Sequence, residues 1–264
     1  MVKTTGLIPE FQTSEFDNKT ALITGASRGI GEATALALAS AGVRNFVLHY
    51  NSHRQGIDDL VKKLGDVASC ATIQADLSQN SGIEAFLAEL GKLGGRVDFL
   101  INNAGFLVQR ARLSESTPDL WDRIMNLNAK SAWFISQAVA PGMIERGGGV
   151  IVNLSSIAAR NGGGVGAAMY AASKATVACF TKGLARELAP MGIRVNAVSP
   201  GTVDNHFHQV FSTQQMLDSM LASTPAGRLG ENQEVADVIV FLCSHAARYI
   251  HGQTIEINGG MYMV

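Results

Sequence analysis

The feature that most constrains the fold of this chain is a regular alternation of short β-branched segments with longer segments rich in alanine and leucine. Several of the short segments are apolar on both faces, which is typical of strands in a parallel sheet that helices cover on both sides. We therefore expect an α/β fold, with a doubly wound parallel sheet of about seven strands in a single domain. The predicted strands are Thr20–Thr24, Phe46–Tyr50, Ala71–Gln74, Asp98–Asn102, Val150–Leu154, Arg194–Val198 and Thr254–Ile257. The predicted helices are Gly31–Ser40, Ile83–Lys92, Pro118–Glu145, Tyr170–Ala189 and Asn232–Ser244.

Two segments stand outside the alternation. Residues 1–17 carry Glu10, Glu15 and Asp17 and have no apolar stretch of the signal-peptide kind, so we expect an N-terminal arm that precedes one domain over 18–264. Thr202–Pro225 is the longest connection, and long connections in compact domains often cover a binding site. We expect residues 202–225 to form a substrate lid.

Composition and charge exclude several classes of function. The net charge of −1 leaves no basic excess for phosphate-backbone contacts, so nucleic acid is not an expected partner. No apolar run reaches membrane-spanning length, so no membrane association is expected. The three cysteines are scattered, which favours a reducing, cytoplasmic location. His206 and His208 lie two residues apart, but no cysteine or acid cluster completes a metal site, and none is predicted.

A glycine-rich turn follows the first predicted strand. Glycines in such a turn let the backbone approach a pyrophosphate, and the dipole of the following helix favours its negative charge. The spacing is Gly-x-x-x-Gly-x-Gly, which would also suit a tight strand–helix turn that uses glycine only for packing. The candidate cofactor-binding residues of this turn are Gly25, Ser27, Arg28, Gly29, Ile30 and Gly31.

The end of the second predicted strand indicates which nicotinamide cofactor is bound. NAD-binding folds place an acid about 20 residues after the glycine-rich turn, where it holds the ribose 2′-hydroxyl. Here the segment from His49 to Arg54 contains no acid. Arg54, together with Arg28, would attract a 2′-phosphate, so NADP(H) is favoured over NAD(H). The alternative for Arg54 is a solvated residue at the start of a helix.

Tyr170 and Lys174 are four residues apart and therefore lie on one face of a predicted helix. A nearby positive charge stabilises a phenolate and lowers the pKa of a tyrosine, so the pair is a plausible acid–base group for an alcohol oxygen. Ser155 and Ser156 follow the strand Val150–Leu154, at the sheet edge where open α/β sheets bind ligands.

The chain resembles the short-chain dehydrogenase/reductase family over essentially residues 17–264. The resemblance rests on six ordered motifs at family spacing. The matching residues are the turn Thr24–Gly31, Asp76, Asn102-Asn103-Ala104-Gly105, Asn128, the set Ser156, Tyr170 and Lys174, and Pro200-Gly201. The resemblance implies a Rossmann-type sheet with the strand order 3-2-1-4-5-6-7.

The resemblance also implies a role for each of four catalytic residues. Ser156 would hydrogen-bond the substrate oxygen, and Tyr170 would give or take its proton. Lys174 would lower the pKa of the phenol and hold the nicotinamide ribose. Asn128 would position a water that links Lys174 to solvent. The cofactor carries the redox chemistry, and hydride passes directly between nicotinamide and the carbonyl carbon.

Further cofactor contacts are implied at the carboxyl ends of the other strands. Asp76 and its neighbour would hold the adenine, and the remaining residues would line the ribose and nicotinamide sites. These candidates are Tyr50, Asn51, Asp76, Leu77, Asn103, Ala104, Gly105, Tyr170, Lys174, Pro200, Gly201 and Val203.

Three departures from the family pattern leave alternatives open. The spacing between Ser156 and Tyr170 is one residue longer than usual, so Ser155 is an alternative to Ser156. Asn205 stands where the family often has a threonine that touches the cofactor, and its amide is expected to donate a similar hydrogen bond. The stretch Gly42–Tyr50 is one residue longer than the family pattern, which leaves Tyr50 and Asn51 as alternatives at the ribose.

We expect an NADP(H)-dependent oxidoreductase that reduces a carbonyl to an alcohol, or the reverse. The C-terminal segment Gly252–Val264 is similar to that of 3-oxoacyl-[acyl-carrier-protein] reductases, which are one alternative; a sugar or polyol dehydrogenase is another. A non-catalytic nucleotide-sensing member would be expected to lack parts of the catalytic set, which is intact here.

The expected substrate is a small or medium free ketone, or a hydroxylated one. Acyl carrier protein is acidic and needs a basic docking rim. The reductases that the chain resembles have a basic residue where this chain has Met191, which leaves Arg146 and Arg160. The polar lid residues would suit a hydroxyl-bearing ligand: Asp204, Asn205, His206, His208 and Gln209. The family also implies a homotetramer built on the long helices and the C-terminus.

Overall fold

A single parallel sheet of seven strands forms the centre of the molecule, in the order β3-β2-β1-β4-β5-β6-β7. The computed structural model describes residues 15–94 and 96–263. The predicted fold class and the predicted strand order are both confirmed. The strands are β1 Thr20–Ile23, β2 Asn45–Tyr50, β3 Ser69–Gln74, β4 Phe99–Asn102, β5 Gly149–Leu154, β6 Ile193–Pro200 and β7 Thr254–Ile257.

Helices cover both faces of this sheet. They are α1 Gly29–Ala41, α2 Arg54–Leu64, α3 Asn80–Leu93, α4 Pro118–Met125, α5 Ser131–Glu145, α6 Ala158–Asn161, α7 Ala168–Leu188, α8 His206–Phe211, α9 Gln214–Ala222 and α10 Asn232–Cys243. The predicted helix 118–145 consists of α4 and α5 joined through a π-helical turn, Asn126–Lys130. The segment 202–225 lies outside the alternation, as predicted, but it folds into two short helices, α8 and α9.

Alternate residues of each central strand point to opposite faces of the sheet, and both faces are apolar. In β1, Ala21 and Ile23 pack on the side of α1, α2 and α10, whereas Leu22 packs on the side of α3, α5 and α7. In β4, Leu100 likewise faces the second layer, and Phe99 and Ile101 face the first layer. This two-sided burial explains why the strand segments are continuous hydrophobic runs.

The chain before β1 packs on the first layer. Phe16 is buried against Phe99, with ring centroids 5.7 Å apart, and the Glu15 carboxylate accepts a hydrogen bond from the backbone N–H of His245. Residues 1–14 of the predicted arm lie outside the described residues. Within residues 15–94 and 96–263, no helix has the length and apolar character needed to cross a membrane.

A line of buried polar side chains links three elements in the second layer. The Asn102 amide of β4 donates to Asn153 Oδ1 of β5 at 2.8 Å, and the Asn153 amide donates to Thr181 Oγ1 of α7 at 3.0 Å. Asn153 and Thr181 are fully buried. Because a buried amide without an acceptor is costly, this line fixes the register of α7 against the sheet.

Thr181→Val should lower the free energy of unfolding by about 1–3 kcal/mol, because it leaves the buried Asn153 amide without an acceptor. Thr176→Val is the matched control. Both hydroxyls donate to a carbonyl four residues earlier in α7, but Thr176 is exposed and has no other partner in the described chain. Urea unfolding of both variants gives the comparison. Equal losses would mean that the amide line contributes nothing.

Candidate active site

The carboxyl ends of β1, β4, β5 and β6 open onto one cleft of about 480 Å³. This is the edge at which open α/β sheets bind ligands, and the volume is in the usual range for small-molecule sites. Thirteen of the predicted site residues line the cleft: Gly25, Arg28, Gly29, Ile30, Asn103, Ala104, Gly105, Ser156, Tyr170, Lys174, Pro200, Gly201 and Val203.

The glycine-rich turn brings backbone close to the cleft. Gly25 and Gly29 have positive φ values of 65° and 63°, which other residues rarely adopt. A side chain at Gly31 would collide with the carbonyl of Gly25. Arg28 precedes α1 with extended backbone and makes no side-chain capping bond, so the first N–H groups of α1 lack a cap from this residue. The turn therefore has the backbone geometry of an anion site.

Asn103 and Thr24 fasten the end of β4 to this turn. The Asn103 amide donates to the carbonyls of Thr24 and Gly25 at 2.8 and 2.9 Å, and the backbone N–H of Ala104 donates to Thr24 Oγ1 at 2.9 Å. Asn103 was predicted to bind cofactor. In the structure its side-chain donors hold the shape of the turn that lines the cleft.

His49 also supports the turn, and the sequence analysis missed it. Its Nδ1 accepts from the backbone N–H of Gly25 at 3.0 Å, and its Nε2 lies 3.1 Å from the carbonyl of Ala75. A neutral ring protonated on Nε2 satisfies both contacts. Burial lowers the pKa of His49 to about 4, partly offset by the Ala75 carbonyl. The only sequence signal was a histidine inside an otherwise apolar strand.

The two candidate arginines for a 2′-phosphate differ in position. Arg28 lines the cleft, whereas Arg54 does not. The Arg54 guanidinium contacts both oxygens of Asp58, at 2.9 and 3.0 Å, and donates to the Tyr50 hydroxyl at 3.2 Å. Tyr50 is buried, and Asn51 is exposed at the end of β2. The geometry therefore favours Arg28 and fits the alternative interpretation of Arg54 as an exposed residue at a helix start.

The remaining predicted cofactor residues lie around this end of the cleft without lining it. The Asp76 carboxylate accepts from the backbone N–H of Ser78 at 3.0 Å, and Leu77 is buried in the second layer. Ser27 presents its carbonyl to His53 Nδ1 at 3.1 Å. These contacts lie in the segments that follow β2 and β3.

Tyr170, Ser156 and Lys174 meet at the other end of the cleft. Ser156 lies near enough to the Tyr170 hydroxyl to lower the pKa of the phenol, and Lys174 Nζ lies 5.8 Å from the centroid of the tyrosine ring. Lys174 Nζ also donates to the carbonyl of Leu154 at 2.8 Å. Ser155 is buried and donates to the backbone carbonyl of Lys174 at 2.9 Å. The position of Ser156 beside Tyr170 favours it over Ser155 as the serine that faces the substrate.

Asn128 lies in the π-helical turn behind Lys174. Its amide donates to the carbonyls of Ile124 and Phe106, both at 2.9 Å, and its Oδ1 accepts from the Phe106 N–H at 3.1 Å. A Cβ atom at Gly105 would lie 2.6 Å from Lys174 Nζ and 2.8 Å from Asn128 Oδ1. Because Gly105 has no side chain, Lys174 and Asn128 can approach the backbone at this position.

Burial sets the proton affinities of the pair. It raises the pKa of the Tyr170 phenol to about 12, and the hydrogen bond with Ser156 offsets only part of this rise. It lowers the pKa of Lys174 to about 7. Burial disfavours the charged form of both groups, and the expected lowering of the phenol pKa by Lys174 stays a prediction. The phenol holds its proton at neutral pH.

Helix α8 presents aromatic rings to Tyr170. Phe207 lies 5.5 Å from Tyr170 between ring centroids, and Phe106 and Phe211 contact Phe207 at 5.7 and 5.2 Å. Asn205 accepts from the Phe207 N–H at 3.1 Å and donates to Asn232, so its side chain caps α8. This is a different use of Asn205 from the predicted cofactor contact. The predicted lid residues were all polar, and these phenylalanines were not among them.

His206 and His208 each contact a different neighbouring side chain. His206 stacks on Phe106 at 6.2 Å, and His208 Nδ1 lies 2.9 Å from Ser212 Oγ. No group of three or more histidine, cysteine or acidic side chains suited to a metal ion occurs within the part of the chain that the structure describes.

The neutral state of His49 should make stability depend on pH. The pKa of His49 is about 4 in the folded protein and 6.5 in a free side chain, so its contribution is complete above pH 6.5 and is lost as pH falls through 4. The loss should approach about 3 kcal/mol, at 1.36 kcal/mol per unit of pKa. His49→Asn keeps an acceptor but does not titrate, so urea unfolding should show a shallower fall in stability over this range. The exposed His245 gives the control variant His245→Asn; if His49→Asn follows the wild-type slope, the assignment is wrong.

Comparisons with known proteins cover nearly the whole chain. Residues 25–262 match the family model described as enoyl-(acyl carrier protein) reductase. The chain is 40% identical over 252 residues to the 3-oxoacyl-[acyl-carrier-protein] reductase of Staphylococcus epidermidis, covering 93% of this chain and 100% of the relative. It is 39% identical over 249 residues to the enzyme of that description from Escherichia coli, covering 94% and 99%.

Solved structures give the same picture. A protein from Agrobacterium tumefaciens described as a gluconate dehydrogenase superposes with a TM-score of 0.85 at 33% identity, covering 94% of this chain and 98% of that one. A protein from Beutenbergia cavernae, described as an NAD(P)-dependent gluconate 5-dehydrogenase with bound NADP, gives 0.84 at 33% identity, covering 93% and 97%. With the fold, the glycine-rich turn and the Ser-Tyr-Lys arrangement, these similarities establish that the chain belongs to the short-chain dehydrogenase/reductase family of oxidoreductases.

Proposed function

We propose that the protein is an NADP(H)-dependent oxidoreductase that reduces a carbonyl to an alcohol, or the reverse, with Tyr170 as general acid–base. The observation that carries this proposal is the meeting of Ser156, Tyr170 and Lys174 in the same cleft as the glycine-rich turn. A family member without catalytic activity would have no use for a buried lysine beside a tyrosine that lines the cleft.

The residues present fit a nicotinamide dinucleotide. The N-terminal end of α1 lacks a side-chain cap, the positive φ values of Gly25 and Gly29 shape the turn before it, and Gly31 lets the start of the helix pack against the Gly25 carbonyl. Gly105 and the Pro200-Gly201 turn line the cleft between this turn and Tyr170. When bound, the nicotinamide supplies or accepts the hydride.

The chain's own residues manage the proton. The Ser156 hydroxyl, which lies beside Tyr170, orients the substrate oxygen next to the phenol. Tyr170 keeps its proton at neutral pH, so it acts as the acid when a carbonyl becomes an alcohol. The nearby charge of Lys174 then stabilises the phenolate that remains. The Leu154 carbonyl accepts a hydrogen bond from Lys174 Nζ, and Asn128 lies beside it at Gly105. We propose that Asn128 positions a water that returns the proton from solvent.

Tyr170→Phe should lower turnover by about 10²–10⁴-fold, because it removes the proton donor and keeps the ring. Cofactor affinity, measured by fluorescence titration, should change little. Tyr249 is exposed and provides the matched control, Tyr249→Phe, which should retain wild-type rates. Near wild-type turnover in Tyr170→Phe would contradict the mechanism.

Arg28 supports a preference for NADPH. It lines the cleft at the glycine-rich turn, and the end of β2 carries no acid that would repel a 2′-phosphate. A structural neighbour at 33% identity is described with bound NADP, which agrees with this preference.

Arg28→Ala should reduce the NADPH/NADH ratio of kcat/KM by about 10- to 100-fold, since a hydrogen bond to a charged group contributes roughly 1.5–3 kcal/mol. Arg54→Ala should reduce it less, because Arg54 is paired with Asp58 outside the cleft. Steady-state rates with both cofactors give the ratio. A larger effect in Arg54→Ala, or equal use of NADH by the wild type, would refute the assignment.

We propose that the substrate is a free carbonyl compound rather than a carrier-bound thioester. Met191 replaces the basic residue of the resembling reductases, and the two remaining arginines are engaged. Arg146 donates to the carbonyl of Val97 at 2.7 Å, and Arg160 forms a salt bridge with Glu256 at 2.7 Å. These contacts leave a weak docking rim for an acidic carrier protein.

Two other candidates each have a specific observation in their favour. Identity of 39–40% over the full length of 3-oxoacyl-[acyl-carrier-protein] reductases supports a carrier-bound substrate. The two structural neighbours are described as gluconate dehydrogenases, which supports a hydroxylated substrate such as a sugar or polyol.

A direct comparison of kcat/KM separates these candidates. We expect free ketones or keto-sugars to be reduced more efficiently than the acetoacetyl thioester of acyl carrier protein. The small thioester analogue without the carrier protein is the control for the acyl group. If the carrier-bound substrate is favoured by more than about tenfold, equivalent to roughly 1.4 kcal/mol, the protein is a carrier-dependent reductase.

We also propose a homotetramer that resides in the cytoplasm. Trp121, Trp133 and Ile144 on α4 and α5 are exposed in the single chain, and Trp133 contacts Phe180 of α7 edge-on. Covering this apolar face by a second copy would remove it from water. Light scattering reads the mass directly, and a monomer at micromolar concentration would contradict the assembly.

A further inference from the structure

Arg110 lines the cleft and has unused hydrogen-bond donors. Its Nε donates to the carbonyl of Phe211 at 2.8 Å, and its Nη1 donates to the carbonyl of Val165 at 2.9 Å. No salt bridge to a carboxylate and no further hydrogen bond of its guanidinium occurs among residues 15–94 and 96–263. A guanidinium has five N–H donors. Two of them are used here, so the Nη2 group and one N–H of Nη1 remain available.

The cleft has a positive charge that its own residues do not balance. Within the described chain, neither aspartate nor glutamate lines it, whereas Arg28, Arg110 and Lys174 do. Arg28 lies at the glycine-rich turn, and Lys174 lies beside Tyr170. The charge of Arg110 has no role in the proposed cofactor binding or in the proposed proton transfer. Low-dielectric walls strengthen the attraction of such a charge for an anion.

Arg28 and Arg110 lie near different side chains of α8. Arg28 is close enough to His206, in the first turn of α8, to help lower its pKa, after burial. Arg110 has the same secondary effect on His208. Arg110 also contacts the carbonyl of Phe211, the last residue of α8. The Val165 loop that it contacts leads directly into α7 and Tyr170.

We propose that Arg110 binds a carboxylate of the substrate, so that the preferred substrate is an oxo acid, or a hydroxy acid in the reverse direction. This inference rests on the proposed carbonyl reductase activity. An arginine presents paired N–H groups in a plane that matches a carboxylate. One unbalanced cation at this end of the cleft matches one negative charge. The apolar lining between Arg110 and the catalytic end, including Leu107, Phe207 and Met220, fits the carbon skeleton between the two polar groups.

A purely structural role for Arg110 makes a different prediction. Its bonds to Phe211 and Val165 connect α8 to the loop before α7, so its loss could loosen the lid for every substrate. A role in substrate binding instead discriminates between charged and neutral substrates of the same shape. The decisive quantity is therefore a ratio of kcat/KM values and not the activity on one compound.

The experiment compares two oxo acids, levulinate and benzoylformate, with their methyl esters, using NADPH. The variants are Arg110→Gln, Arg110→Lys and the matched control Arg112→Gln. Arg112 is an exposed arginine in the same segment and does not line the cleft. The wild type should favour at least one acid over its ester by about tenfold or more. Arg110→Gln should reduce this acid/ester ratio by about 10- to 100-fold, mostly through KM, as expected for a charge-assisted hydrogen bond.

Arg110→Lys should retain part of the acid/ester ratio, and Arg112→Gln should retain all of it. An equal fall for acid and ester in Arg110→Gln would overturn the proposal in favour of a lid contact. Absence of any preference for the acids in the wild type would also overturn it. A third arm uses acetoacetyl-coenzyme A and its N-acetylcysteamine analogue. If Arg110→Gln affects only the coenzyme A thioester, the arginine binds phosphate and the carboxylate assignment is wrong.

Failure of the proposed function has a separate signature. If the wild type reduces neither acids, esters nor thioesters, the carbonyl reductase proposal fails. The anion site is then tested by calorimetry, with lactate and mandelate titrated into the protein in the presence of NADP⁺. Binding that Arg110→Gln abolishes and Arg112→Gln preserves would support the site, and binding unaffected by Arg110→Gln would overturn it.

Discussion

The close approach of Lys174 and Asn128 to the backbone of Gly105 is the contact on which the catalytic end depends. A single methyl group at this position would lie 2.6 Å from the lysine nitrogen and 2.8 Å from the asparagine oxygen. Because such a contact forces one of them to move, the position of the ammonium beside Tyr170 depends on the missing side chain. The geometry of the turn after β4 thus controls the position of the Lys174 side chain, which α7 contributes.

Burial then gives this geometry its chemical character. Burial shifts the pKa of each group toward its neutral form, to about 12 for Tyr170 and about 7 for Lys174. In reduction, the first requirement is a proton donor, which the neutral phenol provides. A positive charge is needed only after that proton has left.

Much of this arrangement could be predicted from sequence because it depends on local patterns. Strands buried on both faces are continuous hydrophobic runs, and Tyr170 and Lys174 share a helix face at any tertiary arrangement. The contributions of His49 and Arg110 depend instead on residues 24 to 101 positions away, Gly25 and Phe211. No local pattern encodes such contacts. Helix α2 was also not named among the predicted helices, since its sequence is mostly polar and contains no alanine.

The π-helical turn Asn126–Lys130 has a consequence for the helices on either side of it. One wide turn is equivalent to one residue inserted into an α-helix, which rotates everything beyond it by about 100°. Leu120 and Ile124 of α4 therefore face the small cluster beside Tyr170, while Ile135 and Val139 of α5 face the sheet. The extra residue allows two consecutive helices to pack on two apolar surfaces that face different directions. If one residue were removed from this turn, the apolar side chains of only one of the two helices would stay buried, and those of the other would face solvent.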